Sequence, residues 1–209
     1  KDWSDKFYSE EDYELLIRLK IKYKDKIEIL VGAEFDWIPH YGDWILKETK
    51  KRDYDLKLIS IHFLKIGEEG YPIDCSEGLF LETANKVGGV KELVKIYYKT
   101  LRKGINTGMF DVASHIDLIK IWNKDSKFFN EEDSWYQKEI KELLDDIKKY
   151  GMKIDFNLKG LKKPCGQPYP SKWILEEARK MGIKILIGTD AHHLEELDYD
   201  INKVRKLLR

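Results

Sequence analysis

Short runs rich in isoleucine, leucine and valine alternate along the chain with longer stretches whose apolar residues recur every three or four positions. Five runs read as strands: residues 27–31, 56–61, 110–114, 153–156 and 183–187. Helical patterns fall over residues 10–23, with Ser9 placed to cap the start, and near 42–52, 77–104, 131–149 and 171–181. A last one is expected from about 195 to 208, where Glu195, Glu196 and Lys203 mark the polar face and Ile201, Val204, Leu207 and Leu208 the apolar one. Strands alternating with helices of this length predict parallel βαβ units. No repeat, low-complexity tract or linker interrupts the pattern, so residues 1–209 read as one α/β domain. Periodicity alone leaves a closed barrel and an open doubly wound sheet equally available.

Composition narrows the partners. The 38 basic and 38 acidic residues cancel, which removes the electrostatic argument for nucleic acid or an anionic membrane surface. A local cationic pocket for a phosphate survives this, because it needs only a few charges. No apolar run approaches the ~18–20 residues of a membrane span, and no signal peptide is visible. Cys75 and Cys165 lie far apart without a CxxC spacing, so a disulfide framework is not expected and a reducing cytoplasm is. The chain opens Lys1-Asp2-Trp3 without methionine and reads as a fragment.

Parallel βα folds collect their chemistry at the carboxyl ends of the strands. Beyond the first run comes Glu34; directly after the second, His62; directly after the third, His115, with Asp117 two further on. The fourth ends in Asn157, and past the fifth come Asp190, His192 and His193. Each has an ordinary reading alone, as a loop residue or a helix cap. Four of the five histidines at strand ends, joined by carboxylates on the same rim, predict a metal site. Imidazole with carboxylate suits zinc, manganese or iron, and two such ions a few ångströms apart suit phosphoryl transfer to water.

Four motifs, in order, resemble those of one family. Residues 31–36 (VGAEFD) look like its bridging-glutamate motif, and residues 59–64 (ISIHFL) followed by 71–74 (YPID) like its second histidine motif. Residues 109–120 (MFDVASHIDLIK) are similar to its third, and residues 188–192 (GTDAH) to its closing Ser-Asp-Ala-His signature. The family is the polymerase-and-histidinol-phosphatase (PHP) superfamily, in its monofunctional histidinol-phosphatase branch. The resemblance implies a distorted (βα)7 TIM-like barrel with two or three divalent ions (Zn, Mn or Fe), hydrolysing L-histidinol phosphate in histidine biosynthesis by metal-activated hydroxide. Glu34, His62, His115, Asp190 and His192 match its metal-ligand positions, with Glu34, Asp190 and His192 taken as catalytic. Ser114 stands where the family has Gly, and Thr189 where it has Ser. The family's opening His-x-His pair and a further Asp-His pair do not occur upstream of Glu34. Five runs are also two short of seven strands, so the first two βα units are expected to be missing from this chain, which alone would then have an impaired centre.

On the substrate side, residues 157–163 and 169–171 are similar to the segment that carries an arginine near the substrate, here Lys162. Lysine keeps the charge but loses the bidentate fork. Lys162, Lys120 and Asn157 are the expected substrate contacts, and Ser171 an N-cap. Trp37 and Trp122 are candidates to wall a pocket around an imidazole, whereas Tyr97, Tyr98, Trp135 and Tyr136 read as packing, and Cys165 lacks a partner that would make it a nucleophile. The expected partner is a small phosphate ester, with neither nucleic acid nor membrane, and the sequence does not specify an oligomeric state. The rival readings are another PHP phosphoesterase acting on nucleotides or nucleic acid, and a degenerate, non-catalytic barrel.

Overall fold

The computed structural model describes residues 9–197, Tyr199 and Val204. The first helix, α1 (Glu10–Tyr23), starts where expected: Ser9 accepts from the Asp12 backbone N–H while the Asp12 carboxylate accepts from that of Ser9. Acidic residues fill its first turn and lysines its last, which complements the helix dipole. It buries no residue fully and attaches through ion pairs of Lys20 with Asp55 and Glu10 with Arg52.

Then follow β1 (Gly32–Asp36), α2 (Gly42–Glu48), β2 (Leu56–Ser60), β3 (Phe63–Ile66), β4 (Glu69–Pro72), α3 (Glu77–Lys86) and α4 (Val90–Ile105). The chain continues through β5 (Val112–Ala113), α5 (Ser134–Lys149), β6 (Lys153–Asn157), α6 (Lys172–Lys180) and β7 (Ile185–Gly188). Five strands form one parallel sheet in the order β1-β2-β5-β6-β7. The order follows the chain without the reversal that defines a doubly wound sheet. It is an arc of consecutive βα units, as a barrel wall would be, with β1 and β7 at its two edges.

The structure moves one expected strand, divides one expected helix and adds a hairpin. The first strand lies five residues later than the apolar run at 27–31, because a strand needs a partner and β2 begins only at Leu56, opposite Gly32. Ile27 and Leu30 are instead largely exposed, and the Val31 N–H goes to the Asp55 carboxylate. The segment after His62 is an antiparallel hairpin, β3–β4, whose Leu64 and Tyr71 face each other in the core. The single helix expected over 77–104 breaks at Gly88-Gly89, both at positive φ, into α3 and α4. The helix expected at 195–208 falls mostly outside the described residues, of which 194–197 form a 3-10 turn.

Helix α4 presents Leu93, Val94, Tyr97, Tyr98, Leu101 and Ile105 to the core, and α5 adds Tyr136, Ile140, Leu143, Leu144 and Ile147. The two are joined inside by the Tyr98–Tyr136 hydroxyl pair at 2.8 Å and at the rim by Arg102, which pairs with Glu142 and Asp146. Tyr97, Tyr98 and Tyr136 are thus packing residues, as expected. Trp37 is too: it packs edge-on against Phe110 and covers Gly104 rather than walling a pocket. Trp122 sits against the same core and donates to the Ile73 carbonyl.

At Gly104, α4 lies directly against Ile59 of β2 and the Trp37 side chain. A methyl group there would overlap Ile59 and the rigid indole of Trp37. Gly104→Ala should therefore lower stability by about 1–3 kcal/mol, even though alanine is the better helix former by roughly 1 kcal/mol. Thermal denaturation checks this, and a raised midpoint would contradict the packing described.

Candidate metal centre

Alternation along β1 puts Glu34 and Asp36 on one face and Phe35, fully buried, on the other. The Asp36 carboxylate accepts the His62 backbone N–H at 2.7 Å, which fixes the chain as it leaves β2. The His62 ring nitrogen Nδ1 lies 3.3 Å from the Ser60 hydroxyl. His115 follows Ser114 at the end of β5 with φ of 24°, a left-handed conformation that non-glycine residues adopt at a cost. Its ring stands edge-on to that of His62, with centroids 4.9 Å apart. One ligand atom each from Glu34, His62 and His115 lies within 4.8 Å of the others. Glu34 accordingly sits within its strand, while His62 and His115 lie past theirs.

The electrostatics of this group are unbalanced without a cation. Burial alone would lower the His115 pKa, but the Glu34 carboxylate overrides it and holds the imidazole up to about 9. Burial would likewise raise Glu34, and the two histidines pull it down to about 2 instead. Burial pushes Asp36 up to about 7, with Glu34 and Asp74 adding to the rise, and pushes Asp155 up to about 6, with Glu34 and Asp190 adding. Asp36 and Asp155 thus resist ionisation chiefly through burial, whereas Glu34 beside the imidazoles is held ionised. His115 Nε2 comes within 2.9 Å of Glu34 Oε1, yet both ring nitrogens of His115 are buried without an aligned hydrogen bond. Buried nitrogens left without hydrogen bonds are costly, and donors that converge on a shared point rather than on each other are what a bound cation needs. The residues fit divalent metal with nitrogen and oxygen ligands.

A second set of polar groups leaves β6 and β7. Asn157 donates through Nδ2 to Asp155 Oδ2 at 2.9 Å and to Asp190 Oδ2 at 3.4 Å. Gly188 leaves room for the Asp155 carboxylate, which any side chain there would meet. Asp190 takes a φ of 51°, and Lys159 donates to its carbonyl at 3.1 Å and to Glu196 at 2.7 Å. Glu196 also accepts the His192 backbone N–H. The His192 side chain is 70% exposed and bonds back to the Asp190 carbonyl at 3.0 Å. Asp190 and His192 are therefore neighbours on the rim but are not gathered into the Glu34–His62–His115 group.

The expected substrate contacts are placed differently. Lys120 is fully buried and pairs with Asp117, so it cannot meet a substrate. Lys162 is exposed, with its ammonium over the Tyr199 ring at 4.7 Å. Asn157 is buried and spends its side chain on Asp155, Asp190 and the Lys159 N–H. Ser171 occupies the N-cap position of α6, but its hydroxyl serves Lys120 and Asp117 and makes no capping bond. Cys165 is buried and Cys75 exposed, both as free thiols. Asp36, Asp155 and Lys159 were missed. The first two carried a signal, since each lies two residues from a singled-out polar residue on the same strand.

Residues 5–159 match the PHP domain family. The chain belongs to that family. It is 29% identical over 189 residues to the histidinol-phosphatase of Bacillus subtilis, a match covering 87% of this chain and 69% of that one. Across three curated relatives the chain spans 61–69% of their length. A solved Listeria monocytogenes structure, assigned as a histidinol phosphatase, superposes with a TM-score of 0.83 at 24% identity, over 91% of this chain and 74% of that one. The Lactococcus lactis histidinol phosphate phosphatase, solved with zinc, L-histidinol and phosphate, gives 0.70 at 20% identity, over 95% and 72%. These likenesses establish the PHP fold; the α/β sheet is shared.

Metal that binds only the folded chain must stabilise it. At a free concentration 100 times its dissociation constant, the gain is about 2.7 kcal/mol. Calorimetry with added Zn2+ or Mn2+, against a chelated control, should show this gain for the native chain and most of it lost in His115→Ala. An equal metal-induced shift in both would remove His115 from the ligand set.

Proposed function

We propose that this chain carries the metal-binding part of a histidinol-phosphatase, which hydrolyses L-histidinol phosphate to L-histidinol and phosphate in histidine biosynthesis. The observation that carries this is the convergence of Glu34 within β1 with His62 and His115 just past β2 and β5. The B. subtilis relative supplies the substrate class. In this reading the arc is part of a distorted (βα)7 barrel whose first two βα units contribute the remaining ligands. Two or three divalent ions (Zn, Mn or Fe) complete the site, with Asp190 and His192 joining the three residues as ligands. The partner is a small phosphate ester rather than nucleic acid, in keeping with the balanced charge. No helix of the described residues is long and apolar enough to cross a membrane, and the two free cysteines suit the reducing cytoplasm we assign.

Divalent ions in such a site neutralise phosphoryl oxygens and acidify a water. The chain's own residues do the holding. Glu34 would supply carboxylate oxygen and His62 and His115 ring nitrogen to the ions, His115 losing its proton as an ion takes its place. Asp36 orients the His62 backbone, and Asn157 orients the carboxylates of Asp155 and Asp190. Lys159 places a positive charge beside Asp190, where the Asp190 carbonyl and Glu196 hold it.

Phosphate release by the natural full-length protein, supplied with Zn, Mn or Fe, tests the assignment. L-Histidinol phosphate should be turned over well ahead of nucleoside monophosphates. Glu34→Gln and His62→Ala should each lower kcat/KM by on the order of 100-fold or more. Turnover of nucleotides equal to or better than that of histidinol phosphate would overturn the substrate.

A further inference from the structure

Lys120 is among the least accessible ionisable groups of the described residues, and the chemistry above does not use it. Its ammonium donates to the Ser171 hydroxyl at 2.5 Å and to the Pro168 carbonyl at 3.0 Å, and it lies 2.9 Å from Asp117 Oδ2. The same Asp117 oxygen accepts the Ser171 backbone N–H at 2.8 Å and its hydroxyl at 3.2 Å. Asp117, Lys120 and Ser171 are all at least 95% buried. A buried lysine is tolerated only when paired and fully hydrogen-bonded, and three acceptors satisfy its three protons.

The contacts join two strand exits. On one side, Asp117 and Lys120 belong to the turn after β5, whose Leu118 N–H holds the His115 carbonyl at 2.8 Å. That bond helps keep His115 in its left-handed conformation. On the other side, Pro168 and Ser171 flank Tyr169, which is paired through both backbone groups with Asn157 at the end of β6. The Tyr169 ring lies edge-on to His115, with centroids 6.3 Å apart, and beneath Lys120 at 5.5 Å. Asn157 then reaches Asp155 and Asp190. One buried ammonium thus spans sequence separations of 48 and 51 residues and lies between the two sides of the rim.

We propose that Lys120, with Asp117 and Ser171, is a positioning residue of the metal centre: the clasp sets the spacing between His115 and the Asn157–Asp190 side. It touches neither substrate nor metal. The inference rests on the reading of Glu34, His62 and His115 as metal ligands.

Removing Lys120 alone strands a buried carboxylate, so the test uses two milder changes in the natural full-length protein. The double variant Asp117→Asn/Lys120→Met removes both charges but keeps an acceptor for the Ser171 N–H; Ser171→Ala removes one hydroxyl. Co2+ is the probe, with its visible spectrum and binding isotherm as readouts alongside circular dichroism. We expect folded variants with an altered Co2+ spectrum, affinity weakened about 10–100-fold, and phosphatase kcat lowered at limiting metal with KM little changed. Excess metal should recover part of that loss, which a general packing defect would not allow. Native Co2+ affinity and spectrum in folded Ser171→Ala would overturn the proposal while leaving the metal site intact. If the native protein itself bound no Co2+, the ligand reading would fall first and the clasp's role with it.

Discussion

A carboxylate and two imidazoles crowd together here because three adjacent parallel strands stop nearly level with one another. The register sets Glu34 opposite Leu58, and Leu58 opposite Val112, so β1, β2 and β5 advance in step. Every later feature depends on that alignment. A one-residue slip of β1 would turn Glu34 and Asp36 into the core and Phe35 toward the rim, since strand side chains alternate. The anchoring is hydrophobic on the far face, where Phe35, Ile59 and the α4 side chains interlock, and polar on the near one, where Asp36 takes the His62 N–H.

The near face concentrates acids more than the neutral chain would suggest. Glu34, Asp36, Asp155 and Asp190 share the rim with two histidines, and burial and mutual repulsion lift Asp36 and Asp155. Side chains that relieved this by pairing would have cost the centre its function. The chain instead restrains the acids through neutral partners: the Ser114 hydroxyl, the Asn157 amide and the His62 backbone. These hold geometry without adding charge, so the field remains available to a cation.

The sequence made the chemistry more legible than the architecture around it. His62 and His115 stand immediately past the predicted runs that became β2 and β5, where apolar and β-branched residues predominate over the few polar ones. The first strand was displaced because residues 27–31 carry the composition of a strand without a neighbour to pair with. The β3–β4 hairpin was overlooked where the two-residue turn Gly67-Glu68 separates two short runs, each too brief to outweigh the polar residues around it. Lys120 could not be placed at all from local pattern. Its burial depends on a loop some 50 residues later, and lysine beside a ligand motif is naturally read as a phosphate contact.

The same crowding of acids sets what an anion would meet at this rim. A phosphomonoester arrives as an anion, and the rim it meets is already acidic. The described cation nearest Asp190, Lys159, is committed to Glu196 and to a backbone carbonyl, and Lys120 is sealed beneath the surface. Neither of these two ammonium groups is therefore free to offset that repulsion. A divalent ion bound there would supply positive charge that favours carboxylate ionisation and attracts phosphate, with Glu34, His62 and His115 the residues to hold it. Acidic crowding would thus serve metal capture first and, through the metal, the phosphate ester of the proposed reaction.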